Sequence, residues 1–236
     1  DKANPVIIYV HGGPGATEMG RSWPYQQGWE DWFTVVQWDQ PGAGKTLRSG
    51  GEAANRAHLS RDRMTKDLLE LIDHVRGRLG ARKVILLGHS WGNVIALDAA
   101  MARPGVVAAY VGVGPLFSLR ANEAAQYEAL LKAAAERKDV AALAELKALA
   151  PYPGDGEIPF AKVNVVRKWV MAYGGLAAGR DNADFYFRAA RLSPLYDYAD
   201  RLAIDQGGQL SVPALLPDMT AVDHTKLAAT TFPVFR

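Results

Sequence analysis

Gly88-His89-Ser90-Trp91-Gly92 sets a serine between two glycines, directly after the apolar run Val84-Ile85-Leu86-Leu87 and directly before Asn93-Val94-Ile95-Ala96-Leu97. A serine at the tip of a sharp strand-to-helix turn can attack a carbonyl carbon. The bend lifts its hydroxyl above the sheet, and the flanking glycines remove side chains that would collide there. Ser90 is the expected nucleophile. The plainer reading, a serine capping a helix start, accounts for the serine but not for both glycines. The amide of Trp91, at the start of the following helix, is the first expected donor to the negative oxygen that such an attack creates. The Trp91 ring either lines the acyl pocket or packs inside.

A second glycine-rich stretch, His11-Gly12-Gly13-Pro14-Gly15, follows the apolar run Val6 to Val10. A loop of this kind points backbone N–H groups at an anion, and Gly13 is the expected second donor, with Gly12 and Gly15 as alternatives. Gly12, Trp91 and Trp169 are the residues expected to touch substrate. His11 closes the strand beside this loop and is expected to brace the turn by hydrogen bonding.

Gly44-Lys45-Thr46 resembles the end of a phosphate-binding loop. That pattern needs a glycine five residues before Gly44, where Asp39 stands, so a nucleotide-dependent protein is not expected. Asp39 is instead expected to bond backbone N–H groups in a turn. Among the other histidines, His58 and His74 read as solvated and His89 as pointing away from the reacting face. His224 is the one late histidine, with Asp223 or Asp218 available to orient it. No His/carboxylate spacing suits a metal, and with no cysteine there is no disulfide or thiolate; neither metal nor organic cofactor is expected.

These residues need a scaffold. Val/Ile-rich runs at 6–10, 34–38, 83–87 and 106–113 alternate with segments able to form helices, the pattern of an α/β fold with a mostly parallel sheet. The clearest helix runs from Ser60 to Leu79, where Met64, Leu68, Leu71, Ile72, Val75 and Leu79 recur at helical spacing, with Ser60 as its cap and Gly80 as its stop. Residues 115–205 read as an inserted helical cap, with helices over 160–173 and from near Asp181 to Ser193. Residues 1–114 and 206–236 form the core, and the sheet resumes at Phe232 to Phe235.

The 236 residues, 49% hydrophobic, are ample for one large core. A net charge of +2, with no basic run among aromatics, argues against a nucleic-acid partner. No apolar stretch is long enough for a membrane helix. The expected partner is a small molecule or short peptide; oligomeric state is left open. The chain opens almost directly on a core strand, so the cytoplasm is favoured over export only slightly.

The three loops in this order, His11 to Gly15, Asp39 to Thr46 and Gly88 to Gly92, followed by a helical insertion, resemble the α/β-hydrolase superfamily and, within it, the proline iminopeptidase branch. The resemblance runs over nearly the whole chain, although the family usually has arginine where Pro41 stands. It implies release of an N-terminal residue from peptides through an acyl-enzyme on Ser90. It also implies acidic residues in the cap, close behind a tryptophan, that hold the free amino group. Val170 to Gly175 behind Trp169 offer no carboxylate, which leaves Glu123, Glu128, Asp181 or Asp184, each expected to be solvated. The family's triad acid and histidine fall past the strand near Phe232, so the chain reads as a hydrolase truncated at both ends. A carboxylesterase and a non-catalytic ligand-binding protein of the same fold are the alternatives.

Overall fold

The apolar runs become strands almost residue for residue. In a computed structural model of the chain, which describes residues 4–177, 179–182, 184–225, 227 and 230–235, they are β1 (Val6–Val10), β2 (Thr34–Gln37), β3 (Val84–His89), β4 (Val107–Val113) and β5 (Val234–Phe235). All pair in parallel, in the order β2-β1-β3-β4-β5. Parallel strands covered on both faces need apolar side chains throughout, and every residue of β1 is buried. Ile8 lies opposite Val36 on one side and Leu86 on the other.

Two compact units divide the chain, one of Asp1–Leu116, Ala189–Leu215 and Lys226–Arg236, the other of Phe117–Arg188 and Leu216–Thr225. The first, the sheet unit, carries α1 (Trp23–Gln26), α2 (Gly44–Arg56), α3 (Arg61–Leu79) and α4 (Gly92–Ala102). Helix α3 begins and ends as its sequence requires: Ser60 Oγ accepts from the Arg63 amide, and Gly80 closes it at φ 69°. It buries Met64, Leu68, Ile72 and Val75. Helix α4 is apolar almost all round, and only Asp98, Met101 and Ala102 escape burial. Arg61 holds Asp98 through two hydrogen bonds of 2.6 and 2.8 Å.

The helical unit contains α5 (Leu119–Glu136), α6 (Val140–Lys147) and α7 (Phe160–Ala172). Helices α8 (Asp184–Arg191) and α9 (Tyr198–Ala221) follow, each with residues in both units. The division differs from the expected 115–205 insertion, because residues 189–205 group with the sheet and 216–225 with the helices. The reason lies in polar anchors. Tyr196 bonds to Asp39, Lys45 to Asp200 at 2.9 Å, and Arg48 to both Asp197 and Asp200. Among the described residues the last strand is also shorter than expected, pairing Val234 and Phe235 with Tyr110 and Val111.

Candidate active site

With the order β2-β1-β3-β4-β5, the chain leaves β1 in one direction to reach β2 and crosses back to reach β3. In open α/β sheets a crevice forms where the winding reverses, outside the carboxyl ends of the strands. The two loops marked by the sequence both start there, His11 to Gly15 after β1 and Ser90 after β3.

Ser90 has φ 51°, a left-handed conformation that costs a residue with a Cβ about 1–2 kcal/mol. Its amide donates to the Val113 carbonyl at 3.0 Å, and its carbonyl accepts from the Asn93 amide at 3.1 Å. The residue is half-buried, and among the described residues no side chain hydrogen-bonds to its Oγ. The flanking glycines meet more than the serine. A Cβ on Gly92 would lie 2.0 Å from the Val10 carbonyl oxygen, so α4 can start against the end of β1 only with glycine there.

Gly12 brings the first loop onto the elbow. A Cβ at this position would sit 2.8 Å from Ser90 Cβ, 2.9 Å from the His89 carbonyl oxygen and 3.3 Å from His89 Nδ1. The His89 imidazole therefore lies beside Gly12, a correction to the expectation that it points away. Its Nδ1 is buried and has no hydrogen-bond partner among the described residues, and burial lowers its pKa. Gly13 adopts φ 114°. Trp91 stands at the amino end of α4, where amides have no partner within the helix.

The Trp91 ring is fully buried and its Nε1 finds no partner among the described residues, so the indole belongs to the core and not to a substrate surface. His11, also fully buried, accepts the Gln40 amide on Nε2 at 3.1 Å and lies 2.9 Å from the Gly12 carbonyl through Nδ1, so its proton sits on Nδ1. Burial lowers its pKa, against the opposing pull of the Gly12 carbonyl and Asp39. Nε2 ties the β1 loop to the β2 loop, while Nδ1 braces the turn of the β1 loop itself. His58 faces Asp67 at 3.5 Å and His74 is exposed.

Asp39 does receive a backbone N–H, from Lys45 at 2.8 Å, together with the hydroxyls of Thr17 and Tyr196. Lys45 reaches Asp200, so the Gly44-Lys45-Thr46 stretch is an internal brace. Among the described residues no cluster of three or more His, Asp or Glu could hold a metal, and no helix is long and apolar enough to cross a membrane.

Trp169 lies in the helical unit, half-buried, its Nε1 donating to Glu145 at 3.0 Å. Glu123, expected to be solvated, is fully buried, hydrogen-bonded by Arg167 and Tyr152. Its two partners explain how a carboxylate survives there. Glu128, Asp181 and Asp184 are exposed. His224 belongs to the same unit, with its amide bonded to the Phe117 carbonyl at 2.7 Å.

The chain is similar to several known proteins. The family model described as serine aminopeptidase, S33, matches residues 2–153. The chain is 29% identical to the probable aminopeptidase YbaC of Bacillus subtilis over 138 residues, 58% of this chain and 42% of that protein. It is 35% identical to the proline iminopeptidase of Neisseria gonorrhoeae over 121 residues, 50% of this chain and 35% of that one. It is also 34% identical to epoxide hydrolase A of Mycobacterium tuberculosis over 107 residues, 44% of this chain and 30% of that one. The chain thus spans less than half the length of these relatives. Among solved structures, one described as "a putative epoxide hydrolase from Pseudomonas aeruginosa" matches with a TM-score of 0.50 at 19% identity, over 98% of this chain and 71% of that one, a likeness of fold.

Proposed function

Because the chain belongs to the serine aminopeptidase S33 family of α/β hydrolases, we propose that it is a serine hydrolase of the proline iminopeptidase type, acting through an acyl-enzyme on Ser90. The observation that carries this reading is the backbone of Ser90 at φ 51°, at the carboxyl end of β3 and against Gly12 of the neighbouring glycine loop. A strained non-glycine residue persists where its surroundings impose it, and such positions gather at reactive centres.

In the proposed step Ser90 Oγ bonds to the carbonyl carbon of an amide or ester while its proton passes to the histidine general base that the family resemblance implies. The carbonyl π electrons move onto oxygen, where the Trp91 and Gly13 amides receive the charge. Collapse restores the carbonyl and breaks the bond to the leaving nitrogen or oxygen, which takes up the proton. Water then releases the acyl group. The substrate proposed from the relatives is a short peptide that loses its N-terminal residue. An ester-cleaving variant uses the same intermediate and differs only in the leaving group.

Treatment of a protein that carries this sequence together with the histidine and acid that the family resemblance implies, with a fluorophosphonate probe, tests the nucleophile. Rates on a prolyl arylamide against a short acyl ester test the leaving group. Expected are covalent labelling at Ser90, its loss in Ser90→Ala, and faster turnover of the arylamide. A probe that ignores Ser90 would leave only a ligand-binding role; faster ester turnover would make the protein an esterase.

A further inference from the structure

Asn93 stands one turn into the helix behind the serine, 1% exposed, and every polar atom of its side chain is used. Nδ2 donates to the Ser90 carbonyl at 3.1 Å and to the Val113 carbonyl at 3.0 Å. Oδ1 accepts the hydroxyl of Tyr110 at 2.6 Å. Two carbonyls on one side and a hydroxyl donor on the other permit a single orientation of the amide, with NH₂ toward the carbonyls.

The consequence comes from the geometry of one peptide. The carbonyl of residue 90 and the N–H of residue 91 are opposite edges of a single planar trans unit. Asn93 grips that carbonyl twice, through Nδ2 and through its own amide at 3.1 Å. It therefore fixes where the Trp91 N–H points, and hydrogen bonds to the carbonyl polarise the unit so that its N–H donates more strongly. On the other side of Ser90 Cα, the Ser90 amide is held by the same Val113 oxygen that Asn93 bonds. Gly88 is what leaves room for this: a Cβ there would lie 2.8 Å from Asn93 Cα and 2.9 Å from Oδ1.

We infer that Asn93, oriented by Tyr110, is a positioning residue that aims the Trp91 amide at the oxygen of the tetrahedral intermediate. The inference rests on the serine-hydrolase reading, and it assigns to Asn93 and Tyr110 a part in turnover that neither plays by touching substrate.

Three variants test it. Asn93→Asp keeps the shape and turns both donors into acceptors facing carbonyls, Asn93→Ala removes them, and Tyr110→Phe removes only the hydroxyl that sets the amide. Hydrolysis of p-nitrophenyl acetate, labelling of Ser90 by a fluorophosphonate, and the ¹H–¹⁵N resonance of the Trp91 amide are measured on folded protein. The expected result is a fall in kcat of about 10²-fold for Asn93→Asp with KM nearly unchanged, the scale of losing one oxyanion donor. A smaller fall in the same direction is expected for Tyr110→Phe, with the Trp91 resonance shifted in all three. An unchanged kcat, or an unshifted Trp91 resonance in folded variants, overturns the assignment. All rates and labelling are read in the protein that also carries the histidine and acid implied by the family resemblance. If that protein without these substitutions does not label at Ser90, the hydrolase reading fails by itself, and the Trp91 resonance still decides whether Asn93 orients that peptide.

Discussion

The Tyr196 hydroxyl lies 2.6 Å from Oδ2 and 2.8 Å from Oδ1 of Asp39, joining the chain just before α9 to the loop after β2. Burial, and after it the Asp39 carboxylate, push the phenol's pKa upward, so Tyr196 stays a donor wherever the fold persists. Tyr196→Phe is expected to cost about 2 kcal/mol, the scale of a hydrogen bond to a charged group left unmade. A lower urea midpoint at unchanged slope is the measurement; an unmoved midpoint would mean that Thr17 and the Lys45 amide suffice for Asp39.

Ser90 offers a comparison that isolates backbone strain. Ser90→Ala and Ser90→Gly both lose the hydroxyl, but only glycine adopts φ 51° without penalty. Ser90→Gly should be more stable than Ser90→Ala by about 1 kcal/mol. Equal melting temperatures would show that the elbow carries no strain.

Gly92→Ala should be the costlier change. Its methyl group would lie 2.0 Å from a backbone oxygen of β1, which cannot yield without parting α4 from the sheet. A loss of about 3 kcal/mol is expected, from overpacking. Thermal unfolding measures it, with Gly105→Ala, where a Cβ meets nothing within 4 Å, as the control.

The buried histidines predict a pH dependence. Burial depresses the folded-state pKa of His11 and of His89 below the ordinary value of 6.5. The unfolded chain then takes up protons first, so their contribution is fully present above about pH 6.5 and is lost as pH falls through the depressed folded values. Unfolding free energy should drop between pH 7 and pH 5, and His89→Gln, which forfeits no hydrogen bond of the ring, should flatten the slope. An equal slope in the variant would place the dependence elsewhere.

Much of the sheet unit can be read from the chain alone. β1 has the bounds of its apolar run, and α3 starts and stops at Ser60 and Gly80, because local chemistry agrees there with tertiary packing. Helix α9 is not legible, because Gly207, Gly208, Pro213 and Pro217 argue against a helix by propensity, which tertiary contacts override. In α2 the glycine signal is obeyed: Gly51, at φ 71° and ψ 167°, leaves the helical conformation and kinks the segment. At the site, the serine and both glycine loops are legible because their spacing encodes a turn. Asn93 is not, since an asparagine early in a helix resembles many others until Val113 and Tyr110, 20 and 17 residues away, are brought beside it. Burial of the Trp91 ring and of Glu123 likewise depends on partners distant in sequence.

Gly12 and Ser90 come so close that the missing side chain of one is space already taken by the Cβ of the other. Saturation mutagenesis at position 12 should therefore recover glycine almost exclusively, even with Gly at 90, because the His89 carbonyl oxygen would still lie 2.9 Å from any Cβ placed there. The first loop is thus held to glycine by the backbone of β3 as well as by the serine.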